Sequence, residues 1–199
     1  MRILARSLAL LVGLLLSPLS FAESRFVRIP GSAAPVELRV AEYQGGTNGE
    51  LTVDVRNSGA QPAEFDAEGL YFVPAGNPDE APQRLGAVGP FQQRAGSSWE
   101  RKRTLALKPG EQATIKLDVY CIDSHRRSPR TGDRFHLAQT RMPKTLASEI
   151  RKNADQAAQS VSGGYAAPAA KASVQSEVWK ARDKKWLKLD GEGKQEAAK

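Results

Sequence analysis

Cysteine is almost missing from this chain: Cys121 is the only one. Histidine is nearly as scarce, confined to His125 and His136. A lone cysteine excludes an internal disulfide framework, the usual staple of small exported domains. Asp123, His125, Asp133 and His136 lie close together in the chain but without a recognised ligand spacing. The sequence therefore calls for no metal and no cofactor. Beyond residue 20 there is no apolar run approaching the length of a membrane span. Internal repeats and nucleic-acid-binding motifs are also lacking.

What is present begins with a leader. Arg2 and Arg6 precede the apolar run "LALLVGLLLSPL", Leu8 to Leu19, and "SFA" closes it with the small residues a signal peptidase needs. This predicts a signal peptide over 1–22, cleaved after Ala22, and a mature chain that is periplasmic or secreted. The apolar run is too short to span a membrane comfortably. An exported cysteine usually pairs, so Cys121 needs an explanation.

The formal net charge is +7. Arg94, Arg101, Lys102 and Arg103 form one basic cluster, and Arg126, Arg127, Arg130 and Arg134 form another. Interleaved acids make a solvated face the ordinary interpretation. The functional alternative is attraction of an acidic polymer, with Arg126 and Arg127 as candidate binding residues. Export argues against nucleic acid, so the expected partner is an envelope or extracellular protein or such a polymer.

The first half of the mature chain has strand periodicity. "VELRV" places Val36, Leu38 and Val40 on one side, and "LTVDVRNSG" does the same with Leu51, Val53 and Val55 before stopping at Asn57-Ser58-Gly59. "FDAEGLYFVPAGNP" reads as one strand, and "RKRTLALKPGEQATIKLDVYCID" as two strands around Pro109-Gly110, a type II turn signal. The prediction is a mainly β protein, a β-sandwich over 23–123. The pairing of "LTVDVRNSG" with "LALKPGEQATIKLDV" resembles bacterial immunoglobulin-like accessory domains, and that resemblance implies an immunoglobulin-like fold.

After Asp123 the texture changes. Residues 124–141 are polar and basic and read as a loop or irregular segment. "PKTLASEIRKNADQAAQ" reads as a helix with Thr145 at its N-cap and Leu146, Ile150 and Ala154 on one stripe. "SGGYAAPAAK" breaks it, and "ASVQSEVWKARDKKWLKL" is a second helix. Residues 124–189 thus form a loop plus a two-helix extension, and 190–199 a flexible tail. On the second helix Gln175, Trp179, Arg182 and Trp186 share a stripe, flanked by Val174, Val178 and Ala181. A face with two tryptophans packs against something, which makes Trp179 and Trp186 candidate binding residues and leaves Gln175 as a polar group needing a partner.

Two short motifs stand out, "YCID" at 120–123 and "VQSEVW" at 174–179. They resemble the signatures of the thioester domains of bacterial surface adhesins. The resemblance implies that Cys121 supplies a thiol and Gln175 an acyl group for an internal thioester, an activated ester that captures an amine. Three other assignments of Cys121 remain open. In-phase alternation of Ile115, Leu117, Val119 and Cys121 puts the thiol on the core side of a strand, where cysteine behaves as a small hydrophobe. A free thiol also allows an intermolecular disulfide. A Cys121–His125 dyad would make a cysteine-dependent hydrolase or transferase. Tyr120 and Ile122 alternate out of phase, so the C-terminal helices are expected to cover them.

Overall fold

Alternation of period two dictates most of what is seen. The computed structural model describes residues 25–46, 49–77, 79–185, 188 and 189. The signal peptide expected over 1–22, the tail expected over 190–199 and Trp186 lie outside the described residues. The strands are β1 (Val27–Arg28), β2 (Val36–Gln44), β3 (Glu50–Asn57), β4 (Ala63–Asp66), β5 (Tyr71–Pro74), β6 (Leu85–Ala95), β7 (Ser98–Lys102), β8 (Thr104–Leu107), β9 (Gln112–Cys121) and β10 (Phe135–Leu137). Two helices follow, α1 (Lys144–Gln159) and α2 (Pro168–Lys184), separated by a short 3-10 turn at Gly164–Ala166.

The protein is mainly β with two C-terminal helices. Eight strands share one sheet, in the order β1-β2-β3-β9-β6-β5-β10 with β7 paired to β6, and β4 and β8 form a second, two-stranded sheet. All pairings are antiparallel. Among the described residues, no helix is long and apolar enough to cross a membrane.

Several elements differ from expectation for local reasons. The segment read as one strand from Phe65 to Pro74 is two, because the chain turns at Ala67–Gly69. Leu70 N donates to Ala67 O at 3.1 Å, and Gly69 takes φ +74°, a value that a Cβ would strain. The Pro109-Gly110 turn forms, with Gly110 at φ +72°, but the strands it joins do not pair. β8 pairs with β4, whereas β9 lies between β3 and β6. β10 falls in the stretch read as a loop; Phe135 and Leu137, both buried, are its only apolar anchors. Helix α1 starts at Lys144, with Pro143 rather than Thr145 at the cap. The Pro143 carbonyl accepts from Leu146 N and Ala147 N, both at 2.9 Å, and no side-chain cap forms. Pro168 opens α2 at a position where its missing N–H costs nothing.

Two apolar cores result. The first lies inside the curled sheet and gathers Leu38, Leu51, Val53, Val55, Ile115, Leu117 and Val119, with Phe65, Leu105 and Leu107 closing it from the small sheet. The second lies between the outer face of β6 and β9 and the helices, where Tyr120 and Ile122 meet Leu146, Ile150, Val174 and Val178. The helices thus cover the out-of-phase residues of β9.

Candidate functional site

The site lies where β9 outruns one neighbour. Its pairing with β3 ends at Glu50 and Asp118, and one more bond follows, from Val119 N to Gly49 O at 3.1 Å. The next peptide unit facing that side belongs to Cys121. A strand residue would ordinarily complete it; a side chain does so instead. Cys121 N donates to Gln175 Oε1 at 2.9 Å, and Gln175 Nε2 donates to Cys121 O at 2.8 Å. The carboxamide of α2 thus imitates a peptide group and extends the ladder by one rung. Gln175 is buried at 3 % exposure and Cys121 at 0 %. The two motif residues, 54 positions apart, meet.

The thiol points into the first core, in phase with Ile115, Leu117 and Val119. Burial, reinforced by the negative charge of Asp123, pushes its pKa up to about 12. At neutral pH it is a protonated thiol rather than a thiolate.

Beyond Cys121 the chain reaches Asp123, which is fully buried. Arg84 grips it three times. The backbone N and Nε donate to Oδ2 at 3.1 and 2.8 Å, and Nη2 donates to Oδ1 at 2.6 Å. Burial alone would raise the Asp123 pKa; the Arg84 bonds and charge, with help from the buried Arg182, outweigh it and hold the carboxyl below its usual range. Ile122 N donates to Arg84 O at 3.0 Å, so the same residue fixes the strand end through its main chain. Next to it, Gln83 accepts from Trp179 Nε1 at 3.1 Å. Trp179 is half-buried against the first core.

The other candidates are placed as follows. His125 is exposed on the turn after Asp123, whereas the thiol is fully buried. Arg127 is exposed and held by Asp133 at 3.0 Å and by the Glu80 carbonyl at 3.1 Å, bonds that pin the 127–133 loop; Arg126 is half-buried. The centre of the buried face of α2 is Val174, Val178 and Ala181, with Gln175 and Arg182 beside them, and Trp179 sits at its margin. Sequence reasoning missed Arg84 and Gln83. Neither belongs to a motif; the only hint is that Asp123, a carboxylate in an apolar strand end, requires a cation from somewhere.

Comparison with known family models, curated proteins and solved structures finds no match.

Proposed function

We propose that this protein is an exported, non-enzymatic attachment module in which Cys121 and Gln175 form an internal thioester that captures an amine. The observation that carries the proposal is the two-point bond between the Gln175 carboxamide and Cys121, which sets the acyl carbon beside the residue that bears the thiol. Formation joins Sγ to the Gln175 carbonyl carbon and releases the amide nitrogen as ammonia. Capture reverses the exchange: an amine takes the acyl group and the thiol returns to Cys121. Burial of both residues supports the proposal from a second side, because an activated ester survives only where water is excluded. A Cys121–His125 hydrolase would need, at every turnover, a thiolate within reach of substrate. A fully buried thiol with a pKa near 12 supplies neither. A thioester needs the thiolate once, during assembly.

A second reading has its own observation: both polar atoms of the Gln175 amide already satisfy main-chain groups. On that reading Gln175 is a strand-end cap and Cys121 a small core residue. The intact mass of freshly purified native protein separates the two. The thioester requires one ammonia less than the mature sequence, with methylamine restoring mass at Gln175 and freeing the thiol. Full mass together with one titratable thiol after denaturation refutes it and leaves the cap.

A further inference from the structure

The seven strands in the path β1-β2-β3-β9-β6-β5-β10 alternate in direction. Seven is odd, so β1 and β10 run the same way and cannot close the sheet as an antiparallel pair. The sheet nevertheless curls until its ends meet on one side, where Tyr43 of β2 packs edge-on against Phe135 of β10 with ring centroids 5.0 Å apart. Past that contact the edges part around a groove of about 830 Å³ whose lining includes Arg25, Val27, Arg28, Val40, His136 and Leu137.

Both rims of the groove are sheet edges. Ala75 N donates to Arg134 O at 2.8 Å and Ala138 N to Tyr71 O at 3.0 Å, which turns the even-numbered residues of β10 toward β5. By strand geometry the peptide groups of Phe135 and Leu137 face the groove. On the other rim Ile29 N donates to Val36 O at 3.0 Å, so Val27 and Ile29 turn toward β2 and Arg28 presents its peptide group to the groove. An open edge is a template for one more strand.

The chemistry of the rims selects the strand. Val27, at 42 % exposure, is one of two exposed large hydrophobic residues among the described ones. Among the described residues, the side chains of Arg25 and Arg28 make no hydrogen bond or ion pair, and no acid lines the groove. We propose that this groove binds a short extended segment of a partner protein in which acidic and aliphatic side chains alternate. The segment adds as a strand antiparallel to both β1 and β10, with its aliphatic side chains against Val27 and Leu137 and its carboxylates on the opposite face at Arg28, while Arg25 adds positive charge to the same rim. The proposal is independent of the thioester.

The probes are two fluorescein-labelled hexapeptides, one alternating Glu and Val, the other Lys and Val, titrated by anisotropy into the whole mature protein at low salt. The Glu peptide is expected to bind at least about tenfold more tightly than the Lys peptide, because rim charges at an interface discriminate by sign. The exposed double variant Arg25→Glu/Arg28→Glu should invert the preference, and hydrogen exchange of the Phe135 and Leu137 amides should slow when the Glu peptide is added. Cys121→Ala should bind it as the native protein does, which keeps this result separate from the fate of the thioester. Failure of the Glu peptide to bind, equal binding of both peptides, or an unchanged preference in the double variant overturns the proposal. So does full protection of the Phe135 and Leu137 amides without peptide, which would mean that the chain closes its own seam.

Discussion

Alternate residues at the end of β9 belong to two cores built in different ways. Leu117, Val119 and Cys121 enter the core inside the sheet, where aliphatic and phenylalanine side chains from nearly every strand interdigitate. Tyr120 and Ile122 enter the core under the helices, where the contact faces of α1 and α2 are rich in alanine: Ala147, Ala154, Ala158, Ala170 and Ala181 are all buried. Alanine lets a helix approach a sheet closely but brings little apolar area of its own, so the second core depends on a few large groups, Leu146, Ile150, Val174 and Val178. It compensates with polar ties across the boundary, Gln175 to Cys121 and Trp179 to Gln83, with Arg182 near Asp123. These gather at one end of β9. The difference teaches that the helices are a second wall of the fold rather than an appendage, and that the candidate site is the seam between the walls.

The strongest way to break this comparison is to remove one wall. A chain ending at Asp123 loses β10 and both helices. It uncovers Tyr71, Tyr120, Ile122 and Val88, all buried in the intact protein, and frees the edge of β5. Exposure of a contiguous apolar patch of that kind leads to association. Residues 23–123 are expected to aggregate or to unfold without cooperativity, as seen by light scattering and near-ultraviolet circular dichroism. A monomeric fragment with a sharp thermal transition would show that the inner core suffices and that the helices are dispensable.

The inner wall was easier to read from the sequence than the outer one, for a physical reason. Leu51, Val53 and Val55 alternate without interruption, so strand and face both follow from period two. The same logic flagged Tyr120 and Ile122 as residues in need of cover. Pairing is different, since nothing in "LALKPGEQATIKLDV" says that the strands on either side of a good turn will join separate sheets. β10 is three residues long in a basic stretch, too short for periodicity to register. On α2 the tryptophan stripe drew attention, but smaller residues at Val174, Val178 and Ala181 occupy the centre of the contact, because a close-packed helix excludes a bulky ring from that position. Of the site, Cys121 and Gln175 were legible as motifs. Arg84, 39 residues from Asp123 in the chain, was not, because an ion pair across the fold leaves no local pattern.

A narrower cut goes through that ion pair. Arg84→Leu leaves Asp123 buried with its main hydrogen-bond donors gone, and stranding one partner of a buried pair costs on the order of 3–5 kcal/mol. Chemical denaturation should report a loss of that size, and Arg84→Leu/Asp123→Leu should recover much of it. The pair also sets a pH dependence. The folded pKa of Asp123 is depressed, so its contribution is fully present above the unfolded value of about 3.9 and is lost as pH falls through the folded value. The wild-type protein should therefore lose stability below about pH 4 more steeply than the double variant. Parallel acid curves would mean that Asp123 contributes nothing to linkage, and that apolar contact and the uncharged Gln175 and Trp179 hydrogen bonds join the walls.

The smallest expected effect is the sharpest probe of how well the outer wall seals. Tyr120 is fully buried, yet its hydroxyl has no hydrogen-bond partner among the described residues, and its pKa is pushed up by burial and then by the nearby Asp118 carboxylate. A buried hydroxyl without a partner carries its desolvation cost with no return, about 1–3 kcal/mol for such groups. Tyr120→Phe keeps the ring against the helices and deletes only the oxygen. It should leave the protein as stable as before or raise its stability by up to about 1 kcal/mol, read as a shift of the urea midpoint at constant slope. A clear loss of stability would show that water reaches the hydroxyl between sheet and helices. The outer core would then be a wet interface, and the burial that the proposed thioester at Cys121 requires would extend only as far as the inner one.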